Sequence, residues 1–319
     1  MAGTSVPAIT GLHHVTLMAR DAAQSCAFYR EVLGFRLVKR TVNYDDPKTY
    51  HLYFGDRDGT PGTVVTVFPY PTMRTARRGA NEIAECALAV PADSIERWSQ
   101  RLRDLGVESE SGETLGERRV RFRDPDGTVL ALVESAHTEM DFKPWIHSSV
   151  RPAMAISRIH SVTLALTDED PVARVLVGRL GFREAGGDVS RRRFHVAEGG
   201  PGRAIDLVRT PHAEPARAGA GSIHHVALST PAADQQDTLY DELFGAHIGV
   251  SSAVDRTYFR SIYFRLTTGV LFEIATHGPG FTADEPRETL GEHLQLPQGL
   301  EHLRSEIVAQ LPRLDATSV

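Results

Sequence analysis

Two histidine pairs and one glutamate are the residues of this chain whose types and spacing offer chemistry. His13 and His14 lie in Leu12-His-His-Val-Thr-Leu-Met18, His224 and His225 in Ile223-His-His-Val-Ala-Leu228, and Glu273 in Leu271-Phe-Glu-Ile274. A carboxylate among Leu271, Phe272 and Ile274 needs a partner, because an unpaired buried charge is very costly, and a metal ion would supply it. Two neutral imidazoles with one carboxylate form the facial ligand set of non-haem Fe(II) oxygenases, which leaves coordination positions open for substrate and dioxygen.

Both histidine pairs fall in alternating β-type runs, where successive side chains face opposite sides of a sheet. The set His13, Val15, Leu17 alternates with His14, Thr16, Met18, and the set His224, Val226, Leu228 with His225, Ala227, Ser229. The more apolar set belongs against helices. His14 and His225 are therefore expected on a concave, ligand-binding face, with His13 and His224 turned away from it. Glu273 points opposite to Phe272 and Ile274 and is expected on the same concave face.

These strands belong to an internal repeat. The first copy reads as a strand, an Asp21-capped helix to Val32, a Gly-stopped turn at Leu33-Gly-Phe35, and strands around 35–43, 49–55 and 63–70. The pattern recurs from Glu85 to Val133 with a helix over 94–105, from Ile159 to Val208, and from Ile223 to Ala275. A lone βαβββ copy would leave one sheet face uncovered, so the copies must pair. The expected fold is α+β: four βαβββ modules paired into two domains, 1–145 and 146–319, joined by a linker over 138–156 and ending in helices over 288–294 and 300–311.

At the positions equivalent to the ligands, copies two and three carry Glu85 and Ser161, and the closing strands carry Thr66, Leu132 and Asp206 where copy four has Glu273. Only copies one and four can together make the metal site, so they are expected to meet in space. The Glu85, Ser161 and Asp206 positions read as a non-catalytic remnant. His51 and Tyr53 share a strand face and add pocket surface, whereas the basic runs 74–78 and 191–193 read as solvated turns.

The 319-residue chain has the ordinary hydrophobic content of a globular protein, and its net charge of -6 offers no electropositive footprint for nucleic acid. Its two cysteines, Cys26 and Cys86, cannot frame a disulfide fold, and no apolar run or signal-like start directs it to a membrane or export. A reducing, cytoplasmic setting is expected.

GLHHVTL, TVNYDDPKTYHLYFGD with PGT, GSIHHVAL, DRTYFRSIYFR, LFEIAT, and FTADE with the LPRL-ended tail together resemble the hydroquinone-type ring-cleaving dioxygenases of the vicinal-oxygen-chelate (glyoxalase and extradiol dioxygenase) superfamily. The resemblance spans nearly the whole chain. It implies paired glyoxalase-like domains and a metal held by His14, His225 and Glu273, with Fe(II) the usual ion and Mn(II) its main substitute. It further implies Arg256 and Tyr263 in the substrate site, with His13, Thr16 and His224 as supporting groups and His224 as a general acid or base. The implied partners are a small aromatic diol and dioxygen, with no nucleic acid or membrane, and a homo-oligomer is compatible with it.

Three alternatives stand beside this reading. A glyoxalase-like isomerase would normally need a fourth ligand where copy one has Thr66. A catechol extradiol dioxygenase typically draws its histidines from copies three and four, and copy three has Ser161. A metal-free sequestration protein has no use for the three ligands on one face.

Overall fold

The computed structural model describes residues 8–135 and 142–314, so the first residues of the linker expected at 138–156 lie outside the described residues. The first module comprises β1 (Gly11–Ala19), α1 (Ala22–Ala27), β2 (Arg36–Asn43), β3 (Asp46–Gly55) and β4 (Val64–Pro69). Asp21 starts α1 by accepting hydrogen bonds from the backbone N–H groups of Ala23 and Gln24, and a π-helical turn continues to Val32. The second module comprises β5 (Glu82–Pro91), α2 (Ile95–Asp104), β6 (Ser109–Thr114), β7 (Glu117–Arg123) and β8 (Val129–Ser135).

The third follows as β9 (Arg158–Leu166), α3 (Asp170–Gly178), β10 (Arg183–Gly187), β11 (Arg191–His195) and β12 (Ala204–Arg209). The fourth is β13 (Ile223–Thr230), α4 (Ala233–Gly245), β14 (Val254–Asp255), β15 (Arg260–Arg265) and β16 (Leu271–Thr276), and a last helix, α5, spans Arg304–Gln310. No helix of the described residues is long and apolar enough to cross a membrane.

The strands form two eight-stranded sheets, ordered β14-β15-β16-β13-β1-β4-β3-β2 and β10-β11-β12-β9-β5-β8-β7-β6. Modules one and four thus share one sheet through the antiparallel β1–β13 pair, and modules two and three share the other through β5–β9. Each sheet takes strands from both halves of the chain, so the sheets do not follow a division at residue 145. Val15, Leu17, Val226 and Leu228 face the helices and join Trp98, Leu102, Val162 and Leu164 in one continuous apolar core.

Two expectations fail in detail. Residues 191–193 are not a turn but lie in β11, where Arg191 and Arg193 reach the buried Asp206. The expected helix over 288–294 is reduced to a 3-10 turn over Arg287–Thr289: Gly291 is at φ +84, where a Cβ would meet the Leu37 carbonyl oxygen at 1.9 Å, and Leu294 makes a bridge to Arg40 of β2. The tail is clamped by the buried Lys39, whose Nζ donates to Asp284 at 2.7 Å and Glu285 at 2.8 Å. Phe281 and Leu290 pack with Val38, Tyr53, Tyr258 and Phe259, so the tail fills one end of the concave face of the first sheet.

Candidate metal centre

The register of β1 on β13 explains why the histidine pairs are useful. His14 faces Ala227, Val15 faces Val226 and Thr16 faces His225, but the ladder skips His13 on β1 and His224 on β13. Each skipped residue is a β-bulge, which interrupts the alternation of side chains. The expectation that His13 and His224 turn away from the concave face is therefore corrected. The rings of His13 and His14 lie 5.1 Å apart, those of His224 and His225 lie 5.0 Å apart, and His224 lines the cavity beside His225.

β16 runs parallel to β13 with Glu273 opposite Ala227, which brings its carboxylate between the two inner histidines. Glu273 Oε2 lies 2.9 Å from His225 Nε2 and 3.3 Å from His14 Nε2, and the two Nε2 atoms are 3.4 Å apart. All three side chains are buried, and ligand atoms of all three lie within 4.8 Å of one another. Among the described residues no donor is aligned in hydrogen-bond geometry with Oε2, although the other carboxylate oxygen accepts from the Ser261 hydroxyl. A buried carboxylate oxygen facing two imidazole nitrogens without an aligned proton fits a divalent cation, and this trio can bind one.

The tautomers agree with that fit. The Thr276 carbonyl can only accept, so His13, whose Nε2 lies 3.2 Å from it, carries its proton there and accepts at Nδ1. His14 Nδ1, 2.9 Å away, must then be the donor, which leaves the His14 Nε2 lone pair facing Glu273. Burial, followed by the proximity of His14, lowers the His13 pKa to about 3 and keeps it neutral. The His224 and His225 Nδ1 atoms make the same contact at 2.7 Å.

A second chain of contacts arrives from module one. Tyr53 Oη lies 2.9 Å from His51 Nδ1, His51 Nε2 lies 2.9 Å from Thr66 Oγ1, Thr66 donates to Thr16 at 2.8 Å, and Thr16 Oγ1 lies 2.9 Å from His225 Nε2. Each group can donate toward His225, and an ion held at His225 Nε2 would take that lone pair from the Thr16 hydroxyl. Burial, ahead of the neighbouring His14 and His225, holds the His51 pKa well below its usual value. For Glu273, burial alone would raise the pKa, but His14 and His225 outweigh it and bring the carboxyl well below the carboxylate range.

The trio forms one wall of a cavity of about 370 Å³. Met18, Phe68 and Phe259 give it apolar surface, and Asn43 at the end of β2 meets it with Tyr44 and Asp45 of the following turn. Arg256 and Tyr263 line it as expected: Arg256 Nε donates to Tyr263 Oη at 3.1 Å, and the guanidinium lies 5.3 Å from the Tyr263 ring centre and 5.9 Å from that of Tyr44. Thr16 and His13 stand behind the ligands rather than on the cavity wall. His51 is the residue to which sequence reasoning gave too little weight; its sharing a strand face with Tyr53, opposite Thr66, was the available signal. Ser261, two residues before Tyr263 on β15, went unnoticed.

The second sheet repeats this framework. Its bulges fall at Ala84 and His160, Glu85 and Ser161 occupy the ligand positions, and Asp206 faces Thr163 as Glu273 faces Ala227. The residue matching Thr66 is Ala131, opposite Ala87, rather than the expected Leu132, which faces the core.

Comparison with known proteins places this geometry. Residues 11–132 match the family model described as the glyoxalase/bleomycin resistance protein/dioxygenase superfamily. The chain is 39% identical over 299 residues to "Putative ring-cleaving dioxygenase MhqO" of Bacillus subtilis (strain 168), covering 93% of this chain and 94% of that one. It is 31% identical over 306 residues to the chlorohydroquinone/hydroquinone 1,2-dioxygenase of Sphingobium indicum, covering 94% and 95% of the two chains. A crystal structure titled as a "putative dioxygenase" from Bacillus subtilis superposes with a TM-score of 0.91 at 37% identity, over 97% of this chain and 99% of the other. Glyoxalase I from Zea mays shares the fold alone, with a TM-score of 0.63 at 14% identity over 89% of this chain and 96% of that one. With its repeated βαβββ modules and the His14, His225 and Glu273 cluster between modules one and four, the chain belongs to the glyoxalase/bleomycin resistance protein/dioxygenase superfamily.

Proposed function

We propose that this chain is an Fe(II)-dependent dioxygenase that opens the aromatic ring of a hydroquinone-type para-diol, with Mn(II) as the substitute ion. The observation that carries the reading is the convergence of His14, His225 and Glu273 on the wall of a cavity that also holds Arg256 and Tyr263. Three protein ligands leave room at a divalent ion for both a diol and dioxygen, and the Thr66 hydroxyl, engaged with Thr16, supplies no fourth. The para-diol preference rests on the relative named as a hydroquinone dioxygenase.

The chemistry supplied by the bound ion is Lewis acidity toward a ring hydroxyl and electron relay between the ring and dioxygen. The protein's own groups do the rest. Phe68, Phe259 and Met18 receive the apolar ring and exclude water from its face. His51, kept neutral by burial and held by Tyr53 at Nδ1 and Thr66 at Nε2, fixes the cavity wall beside the ring, and the proton released when the diol hydroxyl ionises passes to water.

Arg256 holds the resulting ring oxyanion with a permanent charge. Tyr263 accepts from Arg256 Nε, which leaves its own proton for the same substrate oxygen. His224, kept neutral by burial and with Nδ1 engaged by His225, lines the cavity, where its Nε2–H can donate a hydrogen bond to a substrate oxygen. His13 and Thr16 orient the two ligand histidines.

The test is anaerobic reconstitution with Fe(II), followed by oxygen uptake and product mass spectrometry on hydroquinones, catechols and a glutathione hemithioacetal. Uptake matched by both oxygen atoms in an opened hydroquinone is expected. Faster opening of catechols would move the substrate assignment to ortho-diols, and isomerisation of the hemithioacetal without uptake would overturn the oxygenase reading.

A further inference from the structure

A second cavity, of about 410 Å³, adjoins the first: His224 and Leu271 line both. Its character is different. The metal-site cavity is walled by aromatic rings, the Glu273 carboxylate and Arg256, whose guanidinium is engaged by Tyr263 and Asp45, whereas the second is lined by the guanidinium-bearing Arg217 and Arg265. Both arginines are exposed side chains, and among the described residues neither has an ion pair. Arg265 Nη1 donates only to the Gly269 carbonyl, at 2.6 Å. The carboxylate that also lines this cavity, Glu82, is already held by Arg78 at 3.0 Å. Thr268 Oγ1, on the same wall, is buried and lacks a hydrogen-bond partner among the described residues.

We propose that this second cavity is a carboxylate-binding vestibule that draws the ring-opened acid out of the metal-site cavity, past His224 and Leu271, onto Arg217, Arg265 and Thr268. The inference rests on the ring-cleavage reading for the source of its ligand. Breaking a ring carbon–carbon bond with both atoms of one dioxygen turns a neutral diol into an open-chain product with one new carboxylic acid and one new carbonyl, and the acid ionises by giving its proton to water. A neutral diol prefers the aromatic cavity, whereas the carboxylate made there shares it with Glu273 and with an Arg256 already engaged by Tyr263 and Asp45. Two uncommitted guanidiniums and a free hydroxyl one wall away offer it charge-assisted hydrogen bonds. The ligand class is a short unsaturated monocarboxylate.

The test uses sorbate, a six-carbon dienoate, with its neutral alcohol as control, titrated by calorimetry into the purified protein. The Arg217→Ala, Arg265→Ala double variant removes the charges without touching the core, and Arg97→Ala, an exposed arginine of α2, controls for overall charge. Sorbate is expected to bind roughly tenfold more weakly to the double variant, with little change for Arg97→Ala and no measurable binding of the alcohol. Equal sorbate affinity in wild type and double variant, as binding at the metal site would give, overturns the proposal, as does an equal loss in Arg97→Ala. If sorbate behaves as expected while no aromatic diol consumes oxygen, the vestibule stands and the ring-cleavage reading falls.

Discussion

The two sheets of this protein share a strand order, a register and a pair of bulges, yet one gathers a His-His-Glu cluster that could hold a metal and the other closes the equivalent place with arginine. On the first sheet the concave positions flanking the centre hold His51, Tyr53, Ser261 and Tyr263; at the matching positions of the second stand Arg119, Arg121, Arg191 and Arg193. Arg193 grips Asp206 through Nε at 2.7 Å and Nη2 at 2.9 Å, Arg191 adds Nη1 at 2.9 Å, and Arg119 and Arg121 hold Glu85. His160 and Arg193 together hold Glu117. Both sheets bury carboxylates, and each must neutralise them. The second does so with arginines of its own chain, whereas the first sets Glu273 against the imidazoles of His14 and His225, where a divalent ion would supply the balancing charge.

The largest expected effect comes from removing the carboxylate that creates this difference. Glu273→Ala should leave well under a tenth of stoichiometric metal by elemental analysis and lower diol oxidation roughly 10³-fold, because two neutral imidazoles alone hold a divalent ion weakly. Retained stoichiometric metal would show that the ion, if any, sits elsewhere.

A sharper break copies the second sheet onto the first. Tyr263 faces Glu273 across the ladder as Arg193 faces Asp206, so Tyr263→Arg should give Glu273 an internal cation and weaken metal binding by about 10²-fold while the chain stays folded. Metal binding unchanged in this variant would mean that charge neutralisation is not what separates the sheets. The reverse substitution, Arg193→Tyr, should create no metal site, because Ser161 stands where His225 does.

The second sheet should fail in a different way. Asp206→Ala strands Arg191 and Arg193, both largely buried, and should cost about 3 kcal/mol of stability by urea unfolding while metal content stays at the wild-type level. A fall in metal content would couple the two centres.

The difference between the sheets was only partly legible in the residue order. The repeated His-His steps, the apolar set Val15, Leu17, Val226 and Leu228, and the isolated Glu273 marked the three residues that cluster and the pairing of copies one and four. The bulges were not legible, since alternation assumes an unbroken ladder and a skipped residue appears only when two strands are aligned. That is why alternation points His13 and His224 away from the concave face. The arginines of residues 191–193 looked like a solvated run because their partner, Asp206, is distant in sequence; only strand pairing brings them together. The tail at 288–294 carries helix-compatible residues, and close contact of Gly291 with Leu37 overrides that preference.

The smallest effect separates the sheets by acid sensitivity. His13 is buried and neutral in the fold, with a pKa of about 3 against 6.5 in the unfolded chain, so the unfolded state takes up a proton that the fold refuses. Its contribution to stability is complete above the unfolded value and is lost as pH falls from 6.5 toward 3. Glu117 has the opposite cause and a lower window. Burial would raise its pKa, but His160 and Arg193 hold it at about 2 against 4.5 unfolded, so its contribution is complete above 4.5 and fades only below that. In chelator-treated protein, His13→Gln, which keeps a donor for the Thr276 carbonyl, should reduce the slope of unfolding free energy against pH between roughly 6 and 5 by up to about 1.4 kcal/mol per pH unit. Glu117→Gln should leave that window unchanged and alter stability only in stronger acid. If the two variants changed the same window, the histidine-lined sheet would not be the one that softens first, and the neutral, ion-dependent character assigned to it would be wrong.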